Sequence, residues 1–289
     1  SAAVERWFQA CLSREKPDLV HVTSLITLGV GVLRAVRSAD IPLALTLMDF
    51  WFLCPRTILM TGDGALCDGR TTPSACERCL MTSSHVFQRL ASWLPTAVPA
   101  AAWHAVCRVP PLARARGARG MALNVADRQR AVRQALALPD LILSHSRFVQ
   151  RTFAGAGLTD RVMHLANGHD LSWRENAPAK QPSPEVRIGY VGQIAEHKGL
   201  HTLIDGFRLA NLGSRARLDI WGDTSLHRAY ADRLRDQTSH DAAIGWRGAF
   251  GRADIGRVLA GIDVLVVPSN WHENAPLVIQ EAFATNTPV

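Results

Sequence analysis

The chain has 289 residues, 47% of them apolar and 20% charged, and a net charge of +7. Its length suggests about two domains at ~150 residues each, and its composition excludes a disordered or fibrous chain. No apolar run reaches the ~20 residues of a membrane-spanning helix and no secretory leader is seen, so a cytoplasmic location is expected.

The first residues, Ser1 to Leu12, read as an amphipathic helix with Val4, Phe8, Cys11 and Leu12 on one face. Asp18 to Val22 reads as a strand, Leu25 to Arg37 as a helix, and Leu43 to Met48 as a second strand. A loop then carries Cys54, Cys67, Cys76 and Cys79. From Leu80 to Leu138 there are eight Arg against one acid, Asp127, which is a local +7. The same stretch carries Trp93 and Trp103. Two readings of this basic helical insert stay open. It is solvated, or its rings and cations bring the protein to an anionic membrane surface, at the inner membrane face. It contains no nucleic-acid module, and no nucleic-acid partner is expected.

After the insert, Asp140–Ser144 reads as a strand, Phe148–Ala154 as a helix and Arg161–Leu165 as a strand. A Pro-rich polar stretch, 176–185, is the expected linker between domains 1–175 and 186–289. Beyond it, strands at Val186–Val191, Arg217–Trp221, Ala243–Trp246 and Val264–Val267 alternate with helices near 199–210, 226–237, 252–260 and 276–284. The alternation predicts an α/β chain of two Rossmann-like domains, with parallel sheets facing a cleft and ligands at the carboxyl ends of the strands.

The stretch Asp263 to Glu281 carries the sharpest signal. Its apolar strand ends at Pro268-Ser269. A helix is expected from about Asn274, with that Asn as cap and Pro276 in the first turn. Glu273 lies at the mouth of the resulting crevice and Glu281 in its wall. The helix N-terminus between them favours a phosphate or pyrophosphate. The pairing of an anion site with carboxylates suits a ligand that carries both a diphosphate and hydroxyls needing acceptors, and a nucleotide-sugar has both.

The Glu273-x7-Glu281 spacing after Pro-Ser resembles the signature of retaining GT-B glycosyltransferases of group 1, the glycogen-synthase-like family. The resemblance covers about 18–80 and 140–289. Against that family plan both ends look truncated. It implies a hexosyltransferase acting on a nucleotide-diphosphate-sugar, with a glycan or lipid-linked acceptor, as in polysaccharide biosynthesis. It implies no cofactor for catalysis and no metal at the reacting centre. Glu273 would contact sugar hydroxyls and Glu281 the ribose, while Asn274, Ala275, Pro276 and Leu277 would meet the donor.

Gly189 to Gly199 resembles the family's phosphate loop, with Lys198 matching the family Lys and Gln193 standing where Arg is expected. His197, if protonated, would replace the missing charge. Gly192 belongs to the same loop, and Gly222 and Arg247 end the next two strands beside the nucleobase. On the acceptor side, Leu43 to Asp49 resembles a Thr-Leu-His-Asp strand end with Met48 in the His place, and His21-Val-Thr23 keeps one His of a His-x-His. Asp49 and His21 are the acceptor-side candidates, and Asp49 joins Glu273 and Lys198 as the catalytic set. The alternatives are a catalytically weak nucleotide-sugar-binding module, motivated by Gln193, Thr23 and Met48, and a nucleotide-sugar epimerase of the same fold, against which the Glu-x7-Glu context argues. The four loop cysteines, with Cys76-x-x-Cys79, leave structural zinc and reduced thiols both open.

Overall fold

A computed structural model describes residues 2–83 and 125–289 and, between them, 87–89, 92–95, 97–98, 101–102 and 105. Trp103, Cys107, Arg108, Arg114, Arg116 and Arg119 lie outside the described residues. The chain divides into two compact units, Ser1–Ala166 and Asn167–Val289.

In the first unit, α1 (Ala2–Glu15) packs on α2 (Gly31–Ser38) through Leu12 and a 3.1 Å ion pair between Glu5 and Arg34. Strands β1 (Val20–Val22), β2 (Leu43–Leu47), β3 (Leu141–Ser144) and β4 (Val162–His164) form one parallel sheet in chain order. Every residue of β2 is buried, as a central parallel strand requires. The helices α3 (Pro73–Thr82), α4 (Val125–Leu136) and α5 (Arg147–Gly155) complete the described part. Val132, Leu136, Val149 and Phe153 join Leu33, Leu45 and Ile142 in one core. The helix expected from Leu25 begins only at Gly31. Gly29, at φ +72°, sets a turn first, although Leu25 is buried as its spacing required.

In the second unit, β5 (Val186–Val191), β6 (Ala216–Trp221), β7 (Ile244–Gly248) and β8 (Val264–Leu265) form a parallel sheet in the order β7-β6-β5-β8. The helices are α6 (Leu200–Ala210), α7 (Arg228–Thr238), α8 (Ile255–Ala260) and α9 (Leu277–Ala284). Leu200, Ile204, Tyr230 and Leu234 of α6 and α7 form one apolar cluster with β5 and β6. A separate cluster gathers Val258, Leu259, Leu265 and Ala282 with Trp173.

Trp173 explains why the unit boundary precedes the Pro-rich stretch. It sits in a 3-10 turn, Ser172–Asn176, and packs against α8, where a Cβ on Gly256 would lie 3.2 Å from the indole and 2.7 Å from Ala177 Cβ. Lys180 Nζ donates to Thr287 Oγ1 at 2.9 Å. The expected linker 176–185 therefore packs with the second unit instead of running free. No helix among the described residues is long and apolar enough to cross a membrane.

Candidate functional site

The carboxyl ends of β5, β6 and β7 are tied together by backbone. Gly192 N–H donates to Trp221 O at 3.1 Å, and Gly222 N–H to Gly248 O at 2.9 Å. A Cβ on Gly222 would stand 2.1 Å from Gly192 O, so only glycine lets the two strand ends approach. Past Gly192 the chain passes exposed Gln193, buries Ile194 and Ala195, and makes a 3-10 turn, Glu196–Lys198. Gly199 follows at φ +71°, where a Cβ would fall 1.9 Å from Pro268 O. Asn270 N–H donates to His197 O at 2.9 Å. These contacts seat the loop after β5 on the loop after β8.

That seating brings Lys198 to Glu273. Lys198 Nζ lies 2.7 Å from Glu273 Oε1. The same oxygen accepts from Ser269 Oγ at 2.6 Å and Trp271 Nε1 at 2.8 Å. Burial pushes the Glu273 carboxyl up, but the hydrogen bonds from Lys198, Ser269 and Trp271 outweigh it and hold it below its ordinary value. The Lys198 ammonium also stands 4.7 Å over the Trp271 ring, and the His197 ring meets Trp271 edge-on at 4.8 Å. Burial first, and the Lys198 charge second, lower the His197 pKa. Both act against the protonated form that would replace the charge missing at Gln193.

Glu281 belongs to a different set. It is the fifth residue of α9 and 8% exposed. Its Oε1 lies 3.4 Å from His169 Nε2 and 3.8 Å from an Arg252 guanidinium nitrogen. The His169 nitrogen is close without the alignment of a hydrogen bond. The helix itself begins at Leu277 with Pro276 as its N-cap, so Asn274 and Ala275 precede it and Asn274 is not the cap. The N-cap supplies no side-chain acceptor, and of the first-turn N–H groups that of Ile279 donates to Pro276 O at 3.2 Å. Arg247, expected beside the base, lies with its guanidinium 2.7 Å from buried Asp219, which also takes Arg217 at 2.9 Å.

Ser269, Trp271, His169, Arg252 and Asp219 carry no role in the sequence reading. Trp271 and Ser269 flank Glu273 closely enough to be found by asking which neighbours donate to it. His169 sits in Asn167-Gly-His-Asp170, whose composition reads as a turn.

In the first unit, His21 Nε2 and Thr46 Oγ1 are 2.7 Å apart across β1 and β2. Trp51 N–H donates to Asp49 Oδ1 at 2.7 Å, which closes the turn opening the cysteine loop. Burial raises the Asp49 pKa against that hydrogen bond. Met48 is 45% exposed. The insert's described cations divide. Arg130 pairs with Asp127 at 3.2 Å on the surface. Arg133 donates to Gly157 O at 3.1 Å, and Arg128 packs over Trp51 at 4.9 Å. Trp93 is 88% exposed.

Residues 172–289 match the family described as glycosyl transferases group 1. No curated protein sequence matches the chain. Among solved structures, HepE from Anabaena in complex with UDP-glucose is similar at 19% identity and a TM-score of 0.58, over 99% of this chain and 62% of that one. A glycosyltransferase from Rickettsia africae is similar at 12% identity and a TM-score of 0.59, over 99% and 60%. Sucrose-phosphate synthase from Thermosynechococcus elongatus is similar at 15% identity and a TM-score of 0.58, over 99% and 58%. The chain thus spans about three fifths of the length of these structures. The fold they share with it is the two-unit, parallel-sheet α/β fold of GT-B glycosyltransferases.

Proposed function

We propose that this chain handles the donor in a retaining glycosyltransferase, which moves a hexosyl group from a nucleotide-diphosphate-sugar to a hydroxyl of a glycan or lipid-linked acceptor. The observation that carries the reading is the 2.7 Å contact of Lys198 and Glu273 beside the carboxyl ends of a parallel sheet. The match of 172–289 to group 1 glycosyl transferases and the likeness to a UDP-glucose complex support the donor class.

Three donors already occupy Glu273 Oε1. Its second oxygen is the one to accept from sugar hydroxyls. Lys198 and the N-terminus of α9 stabilise the departing diphosphate. That division of labour calls for no metal at the reacting centre. The acceptor hydroxyl attacks on the face the diphosphate leaves. Glu281, with His169 and Arg252 around it, takes the ribose.

Calorimetry with UDP and uridine tests the site. Lys198→Ala is expected to weaken UDP far more than uridine, and equal loss for both removes Lys198 from the diphosphate. The anomeric configuration of the product, read by NMR, tests retention. A second reading, a nucleotide-sugar-binding module of weak activity, is favoured by one observation: Gln193 stands in the loop where the resemblance expects Arg. Donor turnover measured with and without acceptor separates the two. The membrane reading of residues 85–120 falls mostly outside the described residues, and sedimentation with anionic vesicles at low salt decides it.

A further inference from the structure

The segment after β2 is anchored at two ends and thin in the middle. Phe50, Phe52, Leu53 and Leu59 are buried in the core of the first unit, and Leu80 and Met81 are buried at the end of α3. Between them the backbone has one isolated antiparallel bridge, Met60 to Leu66. The hairpin it makes lies tight on α3, where a Cβ on Gly62 would stand 2.4 Å from Thr82 Oγ1 and 2.9 Å from Ser83 N. Such a piece has little apolar area of its own to hold it.

All four cysteines of this segment line one pocket of about 100 Å³, together with Leu53, Leu59, Met60 and Leu80. They come from three places: Cys54 from the anchored entry, Cys67 from the far arm of the hairpin, and Cys76 and Cys79 from the first turns of α3. Each is half-buried and unoxidised. Cys11, on α1, is not among them.

Two further observations point to a ligand. Gly69 N–H lies 3.5 Å from Cys67 Sγ, a backbone donor two residues on that favours a thiolate. And a half-buried cation lies beside the cluster. The Arg128 guanidinium faces Cys54 and Cys76, and its Nη1 has no hydrogen-bond partner among the described residues. Its Nη2 donates to Trp51 O and it packs over the Trp51 ring, which leaves Nη1 as a buried donor that an anion would satisfy.

We propose that Cys54, Cys67, Cys76 and Cys79 are the four ligands of a structural zinc ion, and that Arg128 offsets the negative charge of the tetrathiolate. Zinc binding replaces four S–H protons, which pass to solvent, and leaves a centre of net charge −2. Among the described residues no three His, Cys, Asp or Glu already stand in metal-holding geometry. The thiols are turned to protein partners instead: Cys76 Sγ to Thr71 Oγ1 at 2.8 Å and Cys79 Sγ toward Met60 O at 3.9 Å. Closing on the ion asks for side-chain rotation into the pocket the thiols already line. The proposal stands apart from the donor site in the second unit and survives or fails without it.

The test begins with the unmodified full chain, purified with reductant and no added metal. Elemental analysis is expected to find one zinc per chain, released on blocking the thiols with a mercurial. Metal-free chain titrated with cobalt(II) is expected to show the visible bands of a tetrahedral site and thiolate charge transfer, saturating at one equivalent. Cys79→Ser should lose the stoichiometric zinc while Cys11→Ser keeps it. Arg128→Gln, which leaves all four ligands in place, should bind zinc about 10- to 100-fold more weakly. A cobalt titration without saturation, iron in place of zinc, or a disulfide among the four cysteines in the isolated chain overturns the proposal. None of these readings on the unmodified chain depends on whether a cysteine variant folds.

Discussion

The two sheets are built alike and end differently. Both are parallel and four-stranded, and both are followed at their strand ends by polar residues. In the second unit those residues converge, with Lys198, Ser269 and Trp271 meeting on one oxygen of Glu273. In the first unit they hold their own strands and turns, His21 against Thr46 and Asp49 against the Trp51 N–H. The carboxylates show the contrast most directly: Glu273 is held below its ordinary pKa and Asp49 above it. The same fold plan thus supports a charged, preorganised site in one unit and a self-contained strand end in the other.

The largest test of that contrast is catalytic. Lys198→Ala removes the cation that the proposed function sets against the diphosphate and should lower kcat/KM by about 100- to 1000-fold, the usual cost of one preorganised donor. Asp49→Asn should cost less than about 10-fold, because its carboxylate is committed to its own turn. Steady-state kinetics with UDP-glucose reads both. An equal loss at Asp49 would break the comparison and place a reacting group in the first unit.

Two glycines sharpen it next. Gly29 and Gly199 share nearly the same left-handed backbone, φ +72° and +71°. A Cβ at Gly29 meets nothing within 4 Å, and one at Gly199 meets the Pro268 carbonyl at 1.9 Å. Gly29→Ala should therefore cost only the left-handed penalty, about 1–2 kcal/mol. Gly199→Ala should cost more than that and weaken UDP binding, because relieving the clash unseats Lys198. Urea unfolding of the two variants measures the difference, and equal costs would show that the loop after β5 is not fixed by the loop after β8.

Much of this architecture was legible in the residues. Val186–Val191 was read with the right ends because Pro-rich and Gly-rich segments punctuate both sides of it. The shorter β8 was over-read because the apolar run Val264–Val267 continues after the ladder stops at Leu265. Lys198 and Glu273 were legible because each sits at a strand end with a distinctive neighbourhood. The surroundings of Glu281 were not, since His169 comes from a turn far away in sequence and nothing local marks it. Arg247 reads as a donor-side cation at a strand end, and the fold adds what no local pattern marks, buried Asp219 2.7 Å from its guanidinium.

The pH dependence of stability should separate the two carboxylates by sign. Glu273 has a folded pKa below its unfolded value of 4.5, so its contribution is present above that value and lost as pH falls through the folded pKa. Asp49 has a folded pKa above its unfolded value of 3.8, so ionising it costs stability once pH rises past that value. At neutral pH Glu273→Gln should destabilise by about 1–2 kcal/mol, in the range of hydrogen bonds to a charged group. Asp49→Asn should be neutral or slightly stabilising there. Below both folded values the two variants should approach the parent. Thermal melts from pH 3 to 7 check this, and curves that stay parallel across the range would deny the contrast.

The smallest effect is expected at Gln193. The loop lacks the Arg that the family resemblance leads one to expect, and burial and Lys198 lower the His197 pKa, so on the proposed function the diphosphate would meet one fewer cation. Gln193 is exposed, and a charge placed there works through water. A charge-assisted bond is roughly twice as strong as a neutral one, yet solvent screening holds an exposed pair to about 1 kcal/mol or less. Gln193→Arg should therefore tighten UDP about 2- to 5-fold, with a gain that shrinks as salt is raised. Uridine, which carries no diphosphate, should bind unchanged. Tightening of both ligands alike would mean that the Arg reaches the nucleoside instead. No tightening of either would mean that the loop turns position 193 away from the ligand, and that the second unit's anion site is already complete with Lys198 and the start of α9.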